Sequence, residues 1–144
     1  MSALVLDSQA VNLLIDAGMK GSRNRLHPGA ELIAALVSAQ RRQAKVIVPA
    51  AVLSELYRDR HAAGVDTYLR QNTQVEVHDT DRPLAKRVGA ILASHDAGSE
   101  LHMDACVVAS AELASRDGAI IMTSDIADLR RLSSDSPGVK VAPV

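Results

Sequence analysis

Five carboxylates fall at or near places where an apolar run gives way to a helical pattern: Asp7, Glu55, Asp104, Asp125 and Asp128. Glu55 and Asp104 have apolar neighbours, Leu53 and Leu56 around the first, Met103, Ala105 and Val107 around the second. A carboxylate turned into such surroundings costs free energy unless it is paired with a cation or coordinated to a metal. Converging carboxylates raise one another's pKa, and a divalent cation relieves the repulsion. Donors that are all oxygen favour Mg²⁺ or Mn²⁺ over zinc or copper. Such a cluster suits metal-assisted attack of water on a phosphodiester.

The elements that must position these residues follow from hydrophobic periodicity. The run from Ala119 to Met122 is continuously apolar and isoleucine-rich, which predicts a buried strand of a parallel sheet. Thr123, Ser124 and Asp125 come next, so Asp125 lies just beyond a strand's carboxyl end, where open α/β sheets bind ligands. Asp128 shares that helix face if Ser124 or Asp125 caps the helix. A second strand, 4–6, ends at Asp7. A third, 45–48, is followed by Pro49, which opens a helix carrying Val52, Leu53, Glu55, Leu56 and Arg58.

Further elements fill the intervals. A helix from Ser8 places Val11, Leu14 and Ile15 together. A loop over 18–29 is broken by Gly18, Gly21, Pro28 and Gly29 and made basic by Lys20, Arg23 and Arg25. A helix over 30–43 turns Leu32, Ile33, Leu36 and Val37 inward. Gly64 breaks the next pattern, leaving a short helix over 65–69. A strand over 75–78, a helix over 84–95, a turn over 96–100 and a nearly apolar helix over 102–115 follow. A last edge strand spans 139–144, ending around Pro143. Strands alternating with helices predict a doubly wound α/β domain with a mainly parallel sheet.

Length and composition bound the function. The 144 residues suggest one domain over 1–144, and 47% of them are hydrophobic, enough for a core. Phe and Trp are absent, so the core is Leu, Val, Ile, Ala and Met. The formal net charge of -1 excludes the strongly basic footprint of a protein that coats nucleic acid, but not an enzyme touching phosphates through metal ions. The lone Cys106 builds neither a disulfide framework nor a zinc cluster, which fits a reducing cytoplasm and a small core residue. No signal peptide and no membrane-spanning run are expected. His27, His95 and His102 show no ligand spacing, and Asp16, Asp59, Asp66, Asp79 and Asp81 are expected on the surface.

Taken together, LVLDSQAV around Asp7, VIVPAAVLSELYR around Glu55, LHMDACVVASAEL around Asp104 and IIMTSDIADL around Asp125 resemble a PIN-domain ribonuclease, and within that family the VapC-type toxins of bacterial toxin–antitoxin pairs. Each motif alone is weak. Their order, spacing and strand–helix context are specific, and the resemblance spans essentially the whole chain. It implies an α/β/α sandwich with a mainly parallel central sheet. Asp7, Glu55, Asp104 and Asp125 then correspond to a catalytic, metal-binding quartet, and Asp128 to an auxiliary metal position. Ser8 and Thr123 match small polar residues that orient ligands or water, and Arg58 matches a substrate contact. The implied cofactor is Mg²⁺ or Mn²⁺, the substrate a structured RNA such as tRNA or rRNA, and the products a 5′-phosphate and a 3′-hydroxyl. The implied partner is a VapB-like antitoxin, within a homodimer or a toxin–antitoxin hetero-oligomer. Leu129 stands where the family often has Phe, and aromatics that help build the family's dimer contact are missing.

Plainer alternatives exist for each residue. Glu55 pairs with Arg58 or Arg60 on a solvated face; Asp104 and Asp125 cap helices. The basic loop is merely solvated, or touches RNA phosphates or a partner. At the level of the whole chain, the rivals are a housekeeping PIN nuclease of RNA processing, an inactive PIN-like binding module, and a phospho-acceptor receiver domain. The last is disfavoured because the strand over 45–48 runs into Val-Pro-Ala without an Asp. No Gly-rich phosphate loop is present in the sequence.

Overall fold

Five apolar runs become strands: β1 (Ala3–Leu6), β2 (Lys45–Pro49), β3 (Val75–His78), β4 (Ala119–Thr123) and β5 (Val139–Pro143). The computed structural model describes residues 2–20 and 29–144, with 18–20 as helical backbone only. The sheet order is β3-β2-β1-β4-β5 and every pairing is parallel, so the described sheet is wholly rather than mainly parallel. β1 is central: Leu4 lies opposite Val46 of β2 on one side and Ile120 of β4 on the other. Val5, Leu6, Ile47, Val48 and Ile121 are fully buried, as continuous apolar strands of a sheet covered on both faces must be. Each such side chain contributes about 2 kcal/mol through removal from water.

The chain steps from β1 to β2 to β3 in one direction, then returns to β4 and β5 on the far side of β1. Right-handed crossovers therefore put the two groups of helices on opposite faces. One group is α1 (Ser8–Lys20), α2 (Ala30–Arg41), α3 (Ala50–Asp59) and α4 (Ala62–Gln71). The other is α5 (Arg82–Ser94), α6 (His102–Ala114) and α7 (Ile126–Leu132), with a short 3-10 turn at Ser99–Leu101 before α6. α6 packs on β1, β2 and β4 and between α5 and α7, and eight of its thirteen residues are buried. Small residues such as Ala105, Ala109 and Ala111 let it lie close to the sheet without Phe or Trp to fill space. Among the described residues no helix is long and apolar enough to cross a membrane.

Several boundaries differ from the sequence expectation, each for a local reason. α1 continues through Gly18 to Lys20, because one glycine costs a helix only about 1 kcal/mol. Arg23, Arg25 and His27 of the expected basic loop lie outside the described residues. α4 likewise runs through Gly64. Pro49 is the extended last residue of β2 and precedes α3 instead of opening it. α2 stops at Arg41, since Gln43 takes a left-handed φ of 55° and Ala44 N–H returns to Ala39 O at 2.8 Å. Within α2, Leu32 is buried, but Ile33 and Val37 are exposed rather than inward. Asp81, expected as plain surface, caps α5 by accepting the Leu84 N–H at 2.9 Å.

Candidate metal centre

The order of the sheet reverses between β1 and β4, and the crevice of an open α/β sheet lies there, outside the carboxyl ends. Asp7 is the first residue past β1. Its N–H donates to Met122 O at 3.3 Å, extending the β1–β4 ladder one step beyond the pair Leu6–Met122. Asp7 and Thr123 therefore stand side by side. Asp7 Oδ1 accepts the Ala10 N–H at 2.8 Å and so caps α1. Asp7 Oδ2 accepts the hydroxyl of Thr123, a fully buried side chain. The same hydroxyl oxygen accepts the Asp125 N–H at 2.8 Å. One short polar side chain thus fixes a carboxylate of β1 and the backbone that follows β4.

Asp104 sits in the first turn of α6, Asp125 at the residue before α7, and Asp128 in the first turn of α7. These three each offer a carboxylate oxygen, all within 4.8 Å of one another. Leu101, not Asp104, is the N-cap of α6, and Asp125 takes the N-cap position of α7 without a side-chain capping bond. Asp104 is pushed up to about 6, first by burial and then by the charges of Asp125, Asp128, Asp7 and Glu55. Burial also raises Asp7, against the lowering influence of the Thr123 hydroxyl and the Ala10 and Gln9 N–H groups, while Glu55 adds to the rise. Asp7 and Glu55 stand outside the tight trio and act on Asp104 through their charge.

Glu55 lies in the middle of α3, half-buried. Arg58 Nη2 comes within 3.9 Å of Glu55 Oε1, but this exposed arginine binds Asp59 more closely, Nε to Oδ1 at 2.9 Å. Arg60 turns the other way, to Asn12 and Asp16 of α1. Ser8 opens α1 beside Asp7 and is half-buried. His102 is exposed, its Nε2 3.7 Å from Cys106 Sγ. The grip of Arg60 on α1 was invisible to sequence inspection: the residues are 48 and 44 positions apart, and no local spacing announces them.

The donor set fits a hard divalent cation. It is all oxygen, and among the described residues no Lys, Arg or His side chain forms an ion pair with Asp104, Asp125 or Asp128. Three converging carboxylates, one of them raised to about 6 and none ion-paired among the described residues, are an arrangement that a divalent cation would stabilise.

No family model matches the chain, and no curated protein matches it in sequence. Among solved structures it is similar to a chain of VapBC2 from Rickettsia felis bound to a DNA fragment from their promoter. The identity is 15%, the match covers 99% of this chain and 98% of that one, and the TM-score is 0.63. It is also similar to a chain of the DNA-bound VapBC from Salmonella typhimurium, at 16% identity, with 99% and 98% covered and a TM-score of 0.64. At such identities the likeness is one of fold: the chain has the PIN-like α/β/α sandwich that its motifs resemble.

Proposed function

We propose that the chain is a Mg²⁺- or Mn²⁺-dependent endoribonuclease and the toxin half of a toxin–antitoxin pair. The observation that carries this reading is the trio Asp104, Asp125 and Asp128, its oxygens within 4.8 Å, at the switch point of the sheet. Full-length likeness of fold to two VapBC chains supports it. Asp7, Glu55, Asp104 and Asp125 hold the cation, with Asp128 beside them. A divalent cation bound there lowers the pKa of water and screens phosphoryl charge.

The chain's own residues do the rest. Thr123 and the start of α1 keep the Asp7 carboxylate fixed through both of its oxygens. Burial around Asp104 lowers the local dielectric and strengthens every charge interaction at the site. Arg58, exposed at the rim, contacts a phosphate of the RNA, and Ser8 and Thr123 orient water or ligand. The partner is a VapB-like antitoxin, and the RNA is a structured one, tRNA or rRNA.

The test is incubation of purified chain, free of antitoxin, with total cellular RNA in Mn²⁺, Mg²⁺ or EDTA, with new 5′ ends mapped by sequencing. Discrete ends that need metal and disappear with Asp104→Asn are the expected result. Ends that persist in both EDTA and the variant overturn the assignment. A folded wild-type chain that yields no ends and binds no Mn²⁺ points to a PIN-like binding module instead.

A further inference from the structure

α3 carries Glu55 and packs on the body of the protein through buried Val52 and Leu56, with Ala51 and Leu53 partly buried against the core. The charge of Glu55 adds, as the smallest of the causes, to the rise of Asp7 and of Asp104. The end of this helix is tied down by Arg60, the residue immediately after α3. Its backbone is extended, with φ -130° and ψ 160°, and its N–H closes the helix on Leu56 O at 2.9 Å. This turn sends the side chain to α1. There Nε donates to Asn12 Oδ1, and Nη2 donates to Asn12 O at 3.3 Å and to Asp16 Oδ1 at 2.8 Å. One planar guanidinium thus grips three oxygens on two successive turns of the helix that Asp7 caps. The contact is partly shielded, the Arg60 side chain being 24% exposed against 71% for Arg58.

We infer that Arg60 is a positioning residue for the metal centre: by clamping the end of α3 to α1 it holds Glu55 where it shares a cation with Asp7. The inference rests on the proposed metal centre. Arg60 is offered as touching neither metal nor substrate, and it acts by tying α3 to α1. Lysine cannot replace it, because a single ammonium cannot span Asn12 and Asp16 in the fork geometry.

The test is Mn²⁺ affinity by calorimetry and by electron paramagnetic resonance, on folded full chain, alongside thermal melting without metal. Arg60→Met keeps the aliphatic stem and should weaken Mn²⁺ binding about ten-fold, the lower range for residues that orient metal ligands. Arg60→Lys should restore only part of it. Arg87→Met is the control for a merely structural loss. It removes a bidentate pair with Glu112, at 2.8 Å for Nη2 to Oε1, away from α1 and α3, and should lower the melting temperature while leaving Mn²⁺ affinity at the wild-type value. In a Glu55→Gln background, Arg60→Met should cause no further loss of affinity. Equal affinity for wild type and Arg60→Met overturns the inference and leaves the metal centre standing, as does an undiminished loss in the Glu55→Gln background. A wild-type chain that binds no Mn²⁺ overturns the metal centre itself and the inference with it.

Discussion

Thr123 Oγ1 donates to Asp7 Oδ2 and accepts the Asp125 N–H at 2.8 Å, so a single fully buried hydroxyl joins the ends of β1 and β4. Replacing it with valine keeps the shape and removes both bonds, leaving the Asp125 N–H without its partner. Thr123→Val should destabilise the chain by about 1–3 kcal/mol in urea unfolding. It should also raise Asp7 further, since the hydroxyl is what pulls it down. Thr123→Ser should stay near wild type; equal losses for both variants would assign the effect to packing.

Acid should stabilise the metal-free protein. Asp104 is raised from 3.8 to about 6, so between these values the folded state holds a proton that the unfolded state has released. Its contribution is complete below about pH 4 and is lost as pH rises through about 6. Asp7, raised chiefly by burial, acts in the same sense. Melting temperatures in EDTA should therefore fall by a few degrees from pH 4.5 to pH 7.5. Asp104→Asn should flatten that slope and melt above wild type at neutral pH. Excess Mn²⁺ should reverse the slope, because cation binding needs the deprotonated carboxylates. A wild-type melting temperature that rises over this range in EDTA would sink the prediction.

Gly118 and Gly64 should respond oppositely to alanine. Gly118 has φ +102°, and a Cβ there would stand 2.8 Å from Gly138 O, the acceptor of the Ala119 N–H that starts the β4–β5 ladder. Gly118→Ala should cost about 2–3 kcal/mol. Gly64 lies inside α4 with nothing within 4 Å of an added Cβ, so Gly64→Ala should gain about 0.5–1 kcal/mol. Chevron or equilibrium urea data read both.

Ser110 Oγ is buried in α6 and has no hydrogen-bond partner among the described residues. Removing an unsatisfied hydroxyl from an apolar setting is neutral or favourable, so Ser110→Ala should leave stability unchanged or raise it by about 1 kcal/mol. A loss above about 1 kcal/mol in equilibrium unfolding would reveal an interaction of that hydroxyl.

The strands, the α6 core helix and the identity of the acidic residues were legible because apolar runs and their flanking carboxylates are local patterns. The extent of α1 and α4 was not, since Gly18 and Gly64 look like breakers in isolation, whereas packing against the sheet outweighs their cost. Ile33 and Val37 were misplaced because periodicity assigns a face to a helix but not the width of what covers it. At the site, the sequence reading placed Asp7, Glu55, Asp104 and Asp125 in a quartet with Asp128 as auxiliary, whereas among the described residues the tight group takes in Asp128 and leaves Asp7 and Glu55 outside. That Asp104, Asp125 and Asp128 form the tight group depends on how α6 and α7 begin beside one another. Arg60 meeting Asn12 is a contact between distant positions, and side-chain type alone carries no record of it.

The sheet order also sets a timetable for synthesis. β1 is translated first yet occupies the middle of the sheet, and its Asp7 waits 116 residues for Thr123 to exist. A nascent chain that stops short of β4 has β1 as a bare edge, with an apolar row of unpaired backbone groups. It also lacks Asp125 and Asp128. The full set of carboxylates is therefore assembled only after β4 and α7 have been made. Such long-range closure slows folding as well, which lengthens the interval before the acidic site is complete.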